Sequence, residues 1–318
     1  MAEDVTVDIL LAILNGGEYL REQLRSIQEQ THSNWRVLAS DDGSTDDSVS
    51  ILRDAIRNDQ RILEVTDGVS SGSADRHFRR LLTKTDAPYI MFCDQDDVWL
   101  PNKVELLLRA LRRLEGDVGA ETPILVFSDA VVVDAELNTI DHSFMIYSHI
   151  DPRRLRLNQL LAQNPVLGCT ILMNRALADL LRKTPLACYV RMHDRWSALV
   201  ASAFGRLHYV DQPTVLYRQH GKNTDGARRF SIRERITIRE GIASVGASVA
   251  AARSFLEVYG PDMSSEKYQV VHAYSVLGQK APLARVVSLL RRGMLKGGWA
   301  RALGQLVCTA CLPPMKDR

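Results

Sequence analysis

The feature that most constrains the fold is an apolar run that ends in a cluster of acidic side chains. Residues Tyr89 to Cys93 are apolar and too few for a helix, so they are predicted to form a buried strand. Asp94, Asp96 and Asp97 follow within four residues. Carboxylates this close repel one another and raise the pKa of at least one of them unless a cation compensates their charge.

Two interpretations of this acidic cluster fit the residues. Oxygen ligands suit Mg²⁺ or Mn²⁺, and Mg²⁺ is commonly held by one or two carboxylates together with substrate phosphates. Alternatively, the acids form a turn before the helix predicted after Pro101, with Asp97 near the helix N-terminus. The residues alone leave both interpretations open.

The preceding region predicts an α/β fold with a mostly parallel, open sheet flanked by helices. Val5 to Leu14 and Trp35 to Ala39 are strand-like apolar runs. Each is followed by a segment with helical periodicity, Glu18 to Gln30 and Ser48 to Asn58. This alternation implies parallel strands joined by right-handed crossovers. Ligands of such sheets bind outside the carboxyl ends of the strands.

Three polar loops are expected at that edge of the sheet. They are the loops that follow the predicted strands, at residues 15–17, 41–44 and 94–97. The layout suits a nucleotide, but no glycine-rich phosphate-binding motif follows any of these strands. A metal ion on the acidic cluster is the expected substitute for such a loop.

These loops, together with the stretch from Cys93 to Pro101, resemble the family 2 glycosyltransferases of the GT-A fold. The resemblance implies a nucleotide-diphospho-sugar donor, an inverting displacement and a divalent metal, Mg²⁺ or Mn²⁺. It assigns Asp42 to the N–H of a uracil or thymine base and Asp96 to the metal. It also places Asp94 at the donor ribose or sugar, with Asp97 supporting the site.

The remaining donor contacts predicted from the resemblance are Ala12, Asn15, Asp41, Arg76 and Arg218. Family members usually carry a hydroxyl residue and Tyr before the Asn, so a backbone contact is expected at Ala12. They usually carry Asn where His77 stands, which makes Arg76 a candidate diphosphate contact. The alternative for Arg76 is a solvated arginine at a helix start.

The segment from Met192 to Trp196 resembles the acid–base position of the family, with the match on Asp194. Inversion needs a base that takes the proton of the acceptor hydroxyl, and a carboxylate can do this. We predict Asp194 as that base and His193 as its positioner. Alternatively, Asp194 caps the following helix and Trp196 lies in the core. The other residues predicted on the acceptor side are Gly168, Cys169, Thr170 and Trp196.

A third cluster runs from Val215 to Asn223, where a strand-like run ends in basic residues. Arg218, His220 and Lys222 suit a diphosphate leaving group, whose charge grows as the glycosidic bond breaks. His220 is predicted to complete the metal shell. A surface or core histidine is the alternative.

After about residue 225 the sequence shows the apolar spacing of long amphipathic helices. We therefore predict a catalytic domain over residues 1–224 and a helical region over 225–318. The last segment interleaves apolar residues with Arg285, Arg291, Arg292, Lys296 and Arg301. A basic amphipathic helix can lie in a membrane interface, which suits a lipid-linked acceptor. The alternative is a helix packed on the catalytic domain with its basic face in water.

Composition narrows the class of partner and the compartment. Lys+Arg 40 against Asp+Glu 38 gives a net charge of +2, so a nucleic-acid partner is not expected. Five scattered cysteines do not suggest a disulfide framework. The N-terminus lacks a signal segment, and no apolar run approaches the roughly 20 residues of a membrane span. A cytoplasmic protein is expected, at the inner face of the membrane if the last helix binds lipid.

These features predict an inverting, metal-dependent glycosyltransferase of bacterial surface polysaccharide synthesis. The motifs at 93–99, 193–196 and 217–220 look closest to rhamnosyltransferase-like members, which suggests dTDP-L-rhamnose as donor and a saccharide or lipid-linked saccharide as acceptor. One alternative is a nucleotidyltransferase that makes the sugar nucleotide, although residues 15–18 lack the basic residue typical of its first loop. The other is a non-catalytic protein that binds nucleotide sugars.

Overall fold

The computed structural model describes residues 5–66, 68–221 and 237–315. The predicted domain boundary at 224/225 lies outside these ranges, as does Lys222. The described strands are β1 (Val7–Ile13), β2 (Trp35–Asp41), β3 (Ile62–Glu64), β4 (Tyr89–Cys93), β5 (Val98–Trp99), β6 (Ile124–Val133), β7 (Thr139–Asp141), β8 (Ile171–Asn174) and β9 (Arg206–Arg218).

The helices surround this set of strands and continue beyond it. They are α1 (Leu20–Gln28), α2 (Ser48–Asn58), α3 (Ala74–Leu82), α4 (Lys103–Val118), α5 (Phe144–Tyr147), α6 (Leu157–Ala162), α7 (Arg175–Arg182), α8 (His193–Phe204), α9 (Ile238–Tyr259), α10 (Ser265–Ser275), α11 (Pro282–Arg291) and α12 (Trp299–Ala310).

All of these strands belong to one open sheet in the order β3-β2-β1-β4-β8-β6-β9-β5, with β7 added to β6. The first four are parallel, as the alternation of strands and helices predicts. The second half is mixed, because β8 runs antiparallel to both β4 and β6, and β5 runs antiparallel to β9. The predicted α/β fold with flanking helices is confirmed.

The carboxyl ends of β1, β2 and β4 meet at one edge. Ile13 is paired with Asp41 across β1 and β2, so the loops that follow these strands are adjacent. The Gln95 side chain accepts a hydrogen bond from Leu14 N at 2.7 Å and donates one to Leu14 O at 2.9 Å. This amide ties the acidic loop after β4 to the loop after β1.

Helix α8 begins at His193, two residues earlier than the start at Arg195 that a cap at Asp194 would give. Met192 is its N-cap residue, so Asp194 lies in the first turn and does not cap the helix. Most of the helix is buried, because it packs between the sheet and the C-terminal helices. A carboxylate in the first turn also benefits from the helix dipole.

The C-terminal helices pack on the rest of the chain and share its core. The ring of Trp196 on α8 lies 5.2 Å from that of Phe255 and 6.0 Å from that of Tyr259, both on α9. Buried residues of α9, α10 and α11 belong to the same hydrophobic cluster as those of the sheet. None of the helices in the described ranges has the length and apolar character needed to cross a membrane.

We expect opposite effects from alanine at two glycines. An added Cβ at Gly205, where α8 ends, would overlap the Pro123 carbonyl oxygen, so Gly205→Ala should destabilise the fold by about 1–3 kcal/mol. Gly116 lies exposed in α4 with nothing within 4 Å of an added Cβ, so Gly116→Ala should stabilise by about 1 kcal/mol. Urea unfolding measures both values. Equal effects of the two substitutions would contradict the described contact at Gly205.

Candidate active site

Two cavities lie near the carboxyl edge of the sheet, and residues of α3 line both of them. The larger, about 420 Å³, is lined by Asp41, Asp42 and His77 among others. The smaller, about 130 Å³, brings together acidic side chains from two distant segments and residues of the loop before β8. Its lining residues include Asp94, Asp96, Gly168, His193, Asp194 and Tyr217.

The end of β9 fixes the acidic loop of the smaller cavity. Arg218 N donates to Asp97 Oδ1 at 3.1 Å, and Arg218 Nε donates to the Asp96 carbonyl oxygen at 2.9 Å. Asp96 Oδ2 lies 2.9 Å from His220 Nε2. The two residues predicted to hold the metal, Asp96 and His220, are therefore in contact. The helix after this loop has Asn102 as its N-cap residue, so Asp97 does not cap it.

Arg218, which was predicted as a donor contact, lies inside the fold. Its side chain is buried, and its guanidinium donates to the Ala135 carbonyl and forms an ion pair with Glu22 in addition to the Asp96 contact. It also stacks over the Tyr19 ring at 4.5 Å. Arg218 therefore fixes the acidic loop from the interior of the fold.

Burial and crowding act together on the acidic cluster. Burial, followed by repulsion from Asp97 and Asp96, raises the pKa of Asp94 well above its ordinary value. Burial and the charge of Asp96 raise the pKa of Asp97 to about 7. Beneath them Lys103 is fully buried, which lowers its pKa to about 8, and its ammonium donates to the Cys169 carbonyl. The single ammonium group of Lys103 thus lies near more than one carboxylate of the acidic cluster.

The donor set at this cluster fits a hard divalent cation. Asp97 Oδ2 is buried and has no hydrogen-bond partner within the described part of the chain. Asp94, Asp97 and the Cys169 thiol have ligand atoms within 4.8 Å of one another. Carboxylates and one imidazole suit Mg²⁺ or Mn²⁺, whereas a thiolate prefers softer metals. Burial raises the pKa of the Cys169 thiol, which disfavours its thiolate form.

His193, the residue before Asp194, has its ring in an apolar environment. Its ring centroid is 4.2 Å from that of Phe78 and 4.9 Å from that of Phe92. Neither ring nitrogen has a hydrogen-bond partner among the described residues. Burial lowers the pKa of His193 to about 3, so the imidazole is neutral. An added Cβ at Gly168 would lie 2.7 Å from His193 Nε2, so this close approach requires glycine.

In the larger cavity, the Asp42 carboxylate accepts backbone hydrogen bonds from Ser71 and, at 3.1 Å, from Gly72. Asp41 Oδ2 accepts from Gly43 N at 3.0 Å and Ser44 N at 2.9 Å, whereas its Oδ1 is buried without a partner in the described ranges. These carboxylates both shape the loops and line the cavity.

Two further residues predicted as donor contacts come from the end of β1 and the loop after it. The side-chain Oδ1 of Asn15 accepts from Thr45 N at 2.8 Å, and Asn15 has a left-handed backbone with φ of 51°. This arrangement connects the loops after β1 and β2. Ala12 is half-buried on β1, one residue before the strand ends.

Three other residues that were predicted as contacts line neither cavity. Trp196 is buried, and its Nε1 donates to Thr184 Oγ1 at 2.9 Å, so it lies in the core. Thr170 is buried and bonds back to the Leu167 carbonyl. Arg76 is exposed and lines neither cavity. The solvated alternative for Arg76 and the core alternative for Trp196 match the structure.

Several site residues were missed by the sequence analysis. Arg53, Arg80 and Lys84 line the larger cavity. The spacing of Arg80 and Lys84 along α3 and its end was the only sequence signal that could have placed them together. Lys103 was missed because its position in a helix gave no indication that its side chain is buried.

The curled α/β sheet and the acidic cavity at its edge define a glycosyltransferase of the GT-A type. S. aureus TarS residues 1–349, solved in complex with UDP, shares this fold with a TM-score of 0.52 and 14% identity over 91% of this chain and 92% of that one. The mannosyltransferase PcManGT of Pyrobaculum calidifontis, solved with GDP-Man and Mn²⁺, has a TM-score of 0.52 and 15% identity over 96% and 85%.

The sequence model of Glycosyl transferase family 2 matches residues 8–178, and the chain belongs to this family. It is 27% identical over 231 residues to the dTDP-rhamnosyl transferase RfbG of Shigella flexneri, which covers 68% of this chain and 74% of RfbG. The expected resemblance to rhamnosyltransferases is confirmed.

A second relative is the UDP-Glc:alpha-D-GlcNAc-diphosphoundecaprenol beta-1,3-glucosyltransferase WfgD of Escherichia coli. It is 23% identical over 178 residues, which cover 56% of this chain and 63% of WfgD.

His193 should make the fold sensitive to acid. Burial lowers the pKa of His193 from 6.5 to about 3. Between these two pH values the unfolded chain binds a proton at this histidine and the folded chain does not. This contribution to stability is complete above pH 6.5 and falls by about 1.4 kcal/mol per pH unit below it. His193→Leu should remove this slope in urea unfolding between pH 6.5 and 4. His142→Leu, at an exposed histidine, is the matched control, and an unchanged slope in His193→Leu would contradict the described burial.

Proposed function

We propose that the chain is an inverting, metal-dependent transferase that moves L-rhamnose from dTDP-L-rhamnose to a saccharide acceptor in bacterial surface polysaccharide synthesis. The observation that supports it most directly is that Asp194 lines the same cavity as Asp94 and Asp96. A candidate base and a candidate diphosphate site thus line one small cavity. Family membership speaks against the nucleotidyltransferase alternative.

In this proposal, Asp194 takes the proton of the acceptor hydroxyl as its oxygen attacks the anomeric carbon. A bond forms between that oxygen and the anomeric carbon, and the bond from the anomeric carbon to the diphosphate oxygen breaks. The nucleoside diphosphate leaves with the electron pair from the opposite face, which inverts the configuration. The neutral His193 and the bare Gly168 backbone shape the wall where the acceptor enters.

On the donor side, Asp96 and His220 are the residues that would hold Mg²⁺ or Mn²⁺, with Asp94 and Asp97 beside them. The cation supplies positive charge to the leaving diphosphate. The nucleotide base occupies the larger cavity, where Asp42 accepts a base N–H with a lone pair not used by Ser71 and Gly72. Asp41 and the loop held by Asn15 complete that wall.

The choice of donor and acceptor follows the relatives. RfbG is named for dTDP-rhamnose, and the base contact at Asp42 would accept uracil and thymine alike. WfgD is named for an acceptor on diphosphoundecaprenol, so we extend the proposal to a lipid-linked saccharide. An enzyme that uses such an acceptor and a nucleotide sugar would work in the cytoplasm, peripheral to the inner face of the cell membrane.

Asp194→Asn should abolish transfer and keep the donor bound. The amide cannot take the hydroxyl proton, so the rate should fall by about 10²–10⁴-fold, whereas the dissociation constant for dTDP-rhamnose should be unchanged. Radiolabel transfer and isothermal titration measure the two quantities. Asp211→Asn, at an exposed acid outside both cavities, is the control and should transfer normally. Transfer that persists in Asp194→Asn would show that another group is the base.

Donor binding should depend on a divalent cation through His220. With Mn²⁺ and a nucleotide at about 100 times its dissociation constant, the protein should be stabilised by about 2.7 kcal/mol. A thermal-shift screen of dTDP, UDP and dTDP-rhamnose, each with Mn²⁺ or EDTA, measures this. In His220→Gln the Mn²⁺-dependent part should shrink. If no nucleotide gives a metal-dependent shift, the proposed chemistry is wrong, and an undiminished shift in His220→Gln would remove His220 from the metal site.

A further inference from the structure

Helix α12 has the reverse of the usual surface pattern. Its inner face carries polar residues, because Gln305 and Thr309 are buried. The Gln305 side chain accepts from Lys296 N at 2.8 Å and donates to the Met294 carbonyl at 2.9 Å. The outer face carries Trp299, Leu303 and Val307, which are 78%, 56% and 44% exposed.

These three residues recur every fourth position, so they form one stripe along the helix. The start of α9 lies against the end of α12. Cys308 Sγ lies 4.0 Å from the Ile238 carbonyl oxygen, and the Ile238 side chain is 62% exposed. We call the exposed side chains of Ile238, Trp299, Leu303 and Val307 the apolar face. Single exposed apolar residues are common on surfaces, but an aligned group with a tryptophan at its end indicates a docking surface.

The segment that carries α11 and α12 is rich in basic residues. The sequence from Lys280 to Met315 contains no aspartate or glutamate. Arg291 and Arg292 are exposed at the end of α11, just before the connection into α12, and Arg239 is exposed beside Ile238. Glu240 is the nearby acid, and its carboxylate accepts from Thr237 N in the capping box of α9.

We propose that the apolar face and these arginines form a surface that docks on a membrane containing anionic lipid. Apolar side chains with an interfacial tryptophan enter the headgroup boundary, and the arginines pair with lipid phosphates. The pattern differs from the sequence expectation, because Leu289, Met294 and Arg285 are buried inside the helical region and do not take part. The arginines of the surface are Arg239, Arg291 and Arg292.

A chain of contacts connects this surface to the smaller cavity. The Arg301 guanidinium on α12 donates to the carbonyls of Ser148 and His149, directly after α5. Phe144 on α5 packs on Tyr217, which lines the smaller cavity, with ring centroids 5.7 Å apart. This inference rests on the proposed function, because a docked enzyme would meet a lipid-linked acceptor at that cavity.

Vesicle co-sedimentation of the full chain tests the surface without turnover. The protein should bind vesicles of phosphatidylcholine and phosphatidylglycerol in equal parts, and bind phosphatidylcholine vesicles more weakly. Trp299→Ser/Leu303→Ser should weaken binding to the mixed vesicles about tenfold or more. Arg291→Gln/Arg292→Gln should weaken it by a similar factor and reduce its salt dependence.

Leu186→Ser, at a leucine exposed to 44% outside this face, is the matched control and should bind like the unchanged protein. Circular dichroism confirms that each variant is folded. Absence of vesicle binding, or full binding by Trp299→Ser/Leu303→Ser, overturns the inference. So does a dimer that this variant converts to a monomer, because a second copy would then cover the face. The nucleotide-dependent thermal shift, measured on the same samples, reports on the proposed function independently.

Discussion

The structure of the site depends on how Arg218 is buried against the acidic loop. A guanidinium removed from water is costly unless its donors are used, and here they reach Asp96, Ala135 and Glu22. Because Arg218 ends β9, this contact joins a late strand to the loop that follows β4 at residues 94–97. It also sets the position of His220, two residues later, against Asp96. The repulsive carboxylates are thus held together by contacts made elsewhere in the fold.

Local sequence patterns predicted the strands and loops of the first half well. The apolar runs that form β1, β2 and β4 are determined by neighbouring residues, and parallel pairing brings their ends to one edge. The roles of Asp96, His220 and Asp194 were expected from the family resemblance, and the structure brings Asp96 to His220 and places Asp94 and Asp194 in one cavity. Local sequence periodicity carries no signal for these long-range contacts.

The direction in which a side chain points could not be predicted in the same way. Trp196 and Arg218 lie next to site residues in sequence, yet Trp196 faces α9 and Arg218 faces Glu22, far away along the chain. Lys103 appears in sequence as an ordinary helix-start lysine, and only the packing of β4, α4 and the loop before β8 buries it. Helix α12 shows the same limit, because alternation of apolar and basic residues does not reveal which face meets the core.

The hydrogen bonds of Asp42 have a consequence for how donor recognition would be dissected. Its carboxylate already orders the backbone at Ser71 and Gly72, so any nucleotide that reaches it joins an existing network. The free energy of ordering the loop and the free energy of binding the ligand therefore both depend on the same carboxylate. Substituting Asp42 would disorganise the pocket wall as well as delete a contact, and the measured loss would overstate the energy of base recognition.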